Sequence, residues 1–81
     1  MKNRNDVSKI TITESSVIVE FNDGVVGEEF FSSYPRLSYA TMEERSEFSI
    51  SYFGIHWPEI DEDLSFEGFY KKAIMLHSAS I

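Results

Sequence analysis

The sequence of 81 residues contains no cysteine, which excludes disulfide frameworks and thiolate metal sites. Long apolar runs are also missing, and no stretch approaches the ~20 residues that span a bilayer. No apolar segment follows the polar start at residues 1–6, so a signal peptide is not predicted. We therefore expect a cytoplasmic protein that does not engage membranes.

Basic residues are scarce as well, with seven lysines and arginines against fourteen acids and a net charge of -7. Phosphate binding needs clustered cations, so we expect no direct contact with nucleic acid. Residues 42–67 carry eight acids and a single base, Arg45. This acidic half is either a docking face for a basic partner or a solvated face that keeps the chain soluble.

The first part of the chain has the alternation of β-strands. It predicts a flexible N-terminus at 1–7, followed by a single domain over 8–81 that opens with strands at 8–14, 17–21 and 25–31. The Asn22-Asp23-Gly24 turn favours a tight hairpin between the second and third strands. Gly27 indicates a bulge that re-aims the following pair, Glu28 and Glu29.

The second part mixes helices and strands. Thr41 and Glu44 fit a capping box for a helix over 42–48. Short strands are predicted at 49–53 and 55–57, added to the first sheet and ended by Pro58. A last helix, capped by Asp63 or Ser65, carries an apolar stripe, and the tail 73–81 either continues it or lies on the sheet. The stripe comprises Phe66, Phe69, Tyr70 and Ala73. The predicted fold is α+β, a small antiparallel sheet of four to five strands with one short and one longer helix packed on one face.

The side chains with the composition of a catalytic or metal site are clustered in the sequence around His56. With a carboxylate from Asp61, Glu62 or Asp63 it has the composition of a general base pair, but no nucleophile motif lies beside it, which favours a locally bonded histidine. The same acids either hold a hard cation or cap a helix. His56 and His77 lack zinc-ligand spacing. We predict no catalytic residue, no cofactor and no metal.

Three other residues in the second part of the chain are candidates for structural or binding roles. Arg36 and Arg45 are the bases in the interior of the sequence, and each is expected to pair with the acids at 59–63 and lock the helical segment to the following loop. Trp57 is either core, together with Phe31, Tyr52 and Phe53, or part of a partner surface.

Several segments resemble the bacterial domain of unknown function 2442 family, with likeness over about residues 8–72. They are Pro35-Arg36-Leu37, Ala40-Thr41, Glu44-Arg45, Gly54-Ile55-His56-Trp57-Pro58, Asp61-Glu62-Asp63-Leu64-Ser65 and Glu67-Gly68. The upstream Phe21-Asn22-Asp23-Gly24 and Glu29 are similar to the family's hairpin opening and acidic position. Phe66, Phe69 and Tyr70 depart from its more usual residues.

The resemblance implies a small α+β domain with an antiparallel sheet and no established catalytic residues. Some family members resemble fusions to a helix-turn-helix, and some lie beside a gene for a toxin-like protein. The 81 residues leave no room for a helix-turn-helix, so direct DNA binding is not expected.

We therefore expect a non-enzymatic, antitoxin-like module that binds a protein, with a basic and toxin-like partner. The candidate binding residues are Arg36, Arg45, His56, Trp57, Asp61, Glu62 and Asp63. The alternative is a self-associating accessory regulator, with a homodimer as its form. A metal-binding or hydrolytic domain that uses His56 and Asp61–Asp63 ranks last.

Overall fold

The computed structural model describes the backbone of residues 1–79 and the side chains of residues 1–76. The fold is α+β, with two antiparallel sheets of three strands each and helices between and after them. The first sheet contains β1 (Val7–Ile12), β2 (Ser16–Phe21) and β3 (Val26–Phe30), and the second contains β4 (Ser49–Ile50), β5 (Gly54–Trp57) and β6 (Glu62–Ser65). The helices are α1 (Pro35–Ser38), α2 (Met42–Ser46) and α3 (Phe66–Ala79).

The first sheet is the predicted meander. Alternation along β2 buries Val17, Val19 and Phe21 on one face, where Ile10 of β1 lies opposite Val19. The hairpin between β2 and β3 turns at Gly24, whose φ of 91° is the left-handed conformation that glycine adopts without steric cost. Both the meander and this turn are confirmed.

Gly27 does not form the predicted bulge. It keeps a regular register opposite Val19 in β2. A Cβ atom at this position would lie 2.6 Å from the carbonyl oxygen of Phe69, so the glycine allows α3 to pack directly on the backbone of β3. The bulge prediction was wrong because tertiary contact, and not strand geometry, explains this residue.

The prediction of one sheet of four to five strands was also wrong. The chain reverses after Trp57 through a turn in which Asp61 has a φ of 51°, and β6 then pairs with β5, with Trp57 opposite Glu62. The acids of β6 had been assigned to a helix start. The second sheet therefore consists of β4, β5 and β6 and is separate from the first. In the described residues β4 pairs only with β5 and β1 only with β2.

The helices begin as the sequence indicates. Thr41 and Glu44 form the reciprocal capping box at the start of α2. The hydroxyl of Ser65 accepts a hydrogen bond from the N–H of Gly68, which caps α3. The α3 helix continues to Ala79, which decides between the two alternatives for residues 73–79; residues 80–81 lie outside the described part.

The core lies between the sheets and α3. Its fully buried side chains include Trp57, Phe31, Phe66, Phe69 and Leu37. The N-terminal residues, expected to be flexible, form a capped 3-10 turn at Arg4–Asp6. None of the helices in the described residues has the length and apolar character required to cross a bilayer.

Candidate functional site

Two contacts join the α1–α2 segment to the β5–β6 hairpin. The guanidinium of Arg36 donates a hydrogen bond of 2.5 Å to the carbonyl oxygen of Asp61 and lies 3.7 Å from its carboxylate. The indole N–H of Trp57 donates to the carbonyl oxygen of Arg45 at 2.9 Å. The predicted pairing of Arg36 with the acids at 59–63 is confirmed, and it joins α1 to the turn between β5 and β6.

Arg45 does not pair with those acids, so that prediction was wrong. Its guanidinium donates to three backbone carbonyl oxygens, those of Leu37 at 2.9 Å, Ser38 at 3.1 Å and Glu14 at 3.3 Å. It also lies over the ring of Phe31, 4.5 Å from the centroid. Arg45 therefore bonds the last two carbonyl groups of the short helix α1, and the carbonyl oxygen of Leu37 also accepts the backbone N–H of Ala40 at 3.3 Å.

Trp57 belongs to the core. Its side chain is 0% exposed and its indole is 6.3 Å from the ring of Phe48. Tyr52 and Phe53, which had been grouped with it, are 44% and 50% exposed and contact each other edge to face. The core interpretation therefore holds for Trp57 and Phe31 but not for the pair at 52–53.

His56 and Asp63 lie opposite each other on β5 and β6. The Nδ1 atom of His56 is 2.8 Å from a carboxylate oxygen of Asp63, and Glu62 accepts the backbone N–H of Asp63 at 3.0 Å. Among the described residues, no group of three histidine, aspartate or glutamate side chains is arranged to hold a metal ion. The arrangement is that of a locally bonded histidine; the side chain of His77 lies outside the described residues.

The eight acids of residues 42–67 fall into two groups. Glu44, Asp61, Asp63 and Glu67 cap α2 or pair with Arg36, His56 and Lys71, and Glu62 bonds its own strand. Glu43, Glu47 and Glu59 are exposed, and in the described part of the chain none of their carboxylates takes part in a hydrogen bond or an ion pair.

Two exposed apolar side chains accompany these free carboxylates. Tyr39, one helical turn after Arg36, is 90% exposed, and Met42 at the start of α2 is 45% exposed. We use "acidic face" for Tyr39, Met42, Glu43, Glu47, Glu59 and Asp61. Exposed aromatic and charged side chains together are the composition of protein interfaces.

Sequence reasoning missed a second polar cluster, which joins β3 to Tyr34 and α3. Glu29 is 8% exposed and accepts hydrogen bonds from the hydroxyl of Tyr34 and, at 2.5 Å, from the ammonium of Lys72. Burial, the bond to Glu29 and the negative charges of Glu29 and Glu62 raise the pKa of Tyr34 to about 12. The available signal was that Glu29 is in phase with inward-facing Gly27 and Phe31.

Comparison with known families gives one match. The family described as "Protein of unknown function (DUF2442)" matches residues 7–75, which confirms the resemblance carried by the segments at 35–68. Neither the curated proteins nor the solved structures yield a match to this chain.

Proposed function

The chain belongs to the DUF2442 family, and from its acidic face we propose that it is a non-enzymatic protein-binding module with a regulatory, antitoxin-like role. The partner is a basic, toxin-like protein. The observation that carries the proposal is the combination of Tyr39, 90% exposed, with the free carboxylates of Glu43, Glu47 and Glu59.

Different residues of the acidic face contribute to the affinity for the partner and to the rate of association. A tyrosine loses little conformational entropy on binding and buries a large area, so Tyr39 and Met42 supply contact at the centre. The surrounding carboxylates attract a cationic surface and raise the association rate, an effect that salt screens. Arg36 and Arg45 fix the backbone segments that carry these side chains, through their bonds to the carbonyl oxygens of Asp61 and Leu37.

The proposal includes the cellular compartment in which the protein acts. A chain with a net charge of -7 and no cysteine suits the reducing cytoplasm, without direct contact to nucleic acid or membrane. The regulatory effect would then pass through the bound protein, not through DNA contacts of this domain.

The test is co-expression with the product of the neighbouring gene, followed by affinity capture and size-exclusion chromatography with light scattering. We expect a stable complex whose association rate falls as salt rises from 50 to 500 mM. The variant Tyr39→Ala should weaken it mainly through faster dissociation, whereas Glu43→Gln/Glu47→Gln should slow association.

A matched control separates local charge from net charge. Glu14→Gln/Glu20→Gln changes the net charge by the same amount outside the acidic face. If both double variants slow association equally, or if no complex forms and the domain elutes alone, the acidic face has only a solubilising role and the proposal fails.

A second candidate function, the self-associating accessory regulator, is favoured by the sheet topology. Each sheet has two edge strands, β1 and β3 in the first and β4 and β6 in the second, and each of these pairs on one side only in the described residues. A homodimer would form by edge pairing. A constant monomer mass in light scattering up to millimolar concentration would exclude it.

A metal-binding or hydrolytic function at His56 and Asp61–Asp63 ranks last. Calorimetric titration with Ca²⁺, Mg²⁺ and Mn²⁺ tests the metal form of this function. A saturable heat that disappears in Asp63→Asn would reverse the ranking.

A further inference from the structure

A groove lies between the two sheets. The 3-10 turn before β1 is joined to the loop between β4 and β5, where the backbone N–H of Arg4 donates to the carbonyl oxygen of Tyr52 at 2.7 Å. Beyond it a groove of about 590 Å³ opens between residues 7–10 of β1 and residues 48–50 at β4. This volume is within the range of ~300–1,000 Å³ that is typical of ligand sites.

The wall of the groove on one side is a strand edge. Residues Val7 to Ile10 of β1 line it, and the register between β1 and β2 shifts between Val7 and Lys9, which leaves Ser8 as the extra residue. Since β2 pairs with one edge of β1, the other edge is the one open to the groove. Among the described residues β1 pairs with β2 alone, so alternate N–H and C=O groups of its outer edge have no strand partner.

The floor of the groove is apolar. Phe66 at the start of α3 is fully buried beneath it, and Phe48 and Ile10 are partly buried against the core. Ile50, on the opposite wall, is 48% exposed. An occupant with apolar side chains directed inward would remove this surface from water.

The rim of the groove is cationic in an otherwise acidic protein. Arg4 and Lys9 line it, and no aspartate or glutamate does. The lysines at 2, 71 and 72 and Arg36 each have a carboxylate within 4.0 Å, whereas neither Arg4 nor Lys9 has one among the described residues, even though Lys9 lies opposite Glu20 on β2. Arg4 instead faces the ring of Tyr52, with its guanidinium carbon 5.6 Å from the centroid.

We infer that this groove binds an extended acidic peptide of a partner protein, which adds a strand to the outer edge of β1. The backbone of the peptide satisfies the free N–H and C=O groups of β1, its inward side chains cover Ile10, Phe48 and Ile50, and its outward carboxylates meet Arg4 and Lys9. Five residues of strand extend about 17 Å, which fits the six-residue length of β1.

This site is independent of the acidic face. None of the six residues of that face lines the groove, and the preferred ligand has the opposite charge. Each proposal can therefore fail without the other.

The direct test uses a fluorescein-labelled heptapeptide in which glutamate and valine alternate, acetylated and amidated at its ends. Fluorescence anisotropy should give saturable binding at low salt. Amide shifts in ¹⁵N-labelled protein should be largest at residues 7–10 and 48–52. Two peptide controls define the mode: lysine in place of glutamate should bind at least ten-fold more weakly, and N-methylation of alternate amides should abolish binding because it removes the donors to β1.

Protein variants test the rim. Arg4→Gln/Lys9→Gln should weaken the acidic peptide about five-fold, as expected for the loss of two exposed charge pairs. Lys71→Gln removes a cation of 71% exposure on α3, outside the groove, and should leave the affinity unchanged.

The inference is overturned if the acidic peptide does not bind at millimolar concentration or shifts amides outside the groove. Equal affinity for the lysine peptide would refute the charge argument. Equal affinity for the N-methylated peptide would exclude strand addition to β1, and a dimer that buries residues 7–10 would assign the groove to a second copy of the chain.

Discussion

Arg45→Ala should destabilise this fold more than any other substitution of a charged residue. The substitution removes a guanidinium that bonds the carbonyl oxygens of Leu37, Ser38 and Glu14 and lies over Phe31. These bonds connect α1, α2 and the β1–β2 turn, which share no backbone ladder. The backbone carbonyl that holds Trp57 stays in place.

The magnitude follows from the number and exposure of the bonds. A hydrogen bond to a charged donor contributes ~1.5–3 kcal/mol when buried. Water can replace part of each bond here because Ser38 and Glu14 are exposed, so we expect a total loss of ~2–4 kcal/mol. A domain of this size has a stability of ~4–12 kcal/mol, and the melting temperature should fall by more than ~10 °C.

Trp57 provides the assay. It is the one tryptophan in the sequence and is fully buried, so its fluorescence reports unfolding in urea without a label. Arg36→Ala is the matched control, because its ion pair with Asp61 is exposed and should contribute only ~0–1 kcal/mol. Arg45→Lys keeps the charge but presents no planar fork to three carbonyls, so it should recover less than half of the loss.

The reasoning is refuted if Arg45→Ala costs no more than Arg36→Ala, or if Arg45→Lys has wild-type stability. The first result would mean that water satisfies all three carbonyls equally well. The second would mean that charge alone, and not the geometry of the fork, holds the segment.

Three further predictions concern the first sheet and its contacts with α3. Gly27→Ala should cost ~1–3 kcal/mol in urea denaturation, because its Cβ would lie 2.6 Å from the carbonyl oxygen of Phe69 and α3 would have to move; a melt within 1 °C of wild type would contradict this. The pKa of Tyr34 is raised to about 12 from 10, so the contribution of this group is complete below pH 10 and is lost as the pH rises to 12. After a discount for partial exposure, the free energy of unfolding should fall by up to ~1 kcal/mol per pH unit. The difference in stability between wild type and Tyr34→Phe should therefore shrink between pH 10 and pH 12, as measured by alkaline denaturation. The hydrogen bond from Tyr70 is the largest cause of the lowered pKa of Asp23, so the stability gap to Tyr70→Phe should be present above pH 4 and close as the pH falls further; a constant gap would refute the linkage.

The local elements of this fold were predictable because local chemistry specifies them. The Asp23-Gly24 turn, the capping box at Thr41 and the apolar stripe of α3 each depend on residues within one or two turns of chain. Their structures agree with the sequence reading for this reason.

The separation into two sheets could not be predicted in the same way. Whether β4 pairs with β1 depends on the position of a hairpin that is more than forty residues away from β1, and β6 was hidden because its acids have the composition of a helix start. Register and partner choice are set by packing, which short-range patterns do not contain.

The contacts of the candidate site were predictable only in part. Arg36 found its predicted carboxylate, but the ligands of Arg45 are backbone carbonyls, which carry no sequence signature because every residue has one. Lys72 and Glu29 meet across 43 positions, so no helical or strand spacing could indicate their pair.

The residues that carry the family likeness perform mainly structural roles in this chain. Trp57 and Leu64 are core, Ser65 caps α3 and Arg45 bonds carbonyls. A side chain that is buried or hydrogen-bonded within the domain has few free groups with which to contact a partner. Under the two proposals above, we expect much of the recognition to fall to exposed side chains outside the motif, such as Tyr39 on the acidic face and Lys9 at the groove. Exchange of those residues between family members should transfer partner choice while stability is retained.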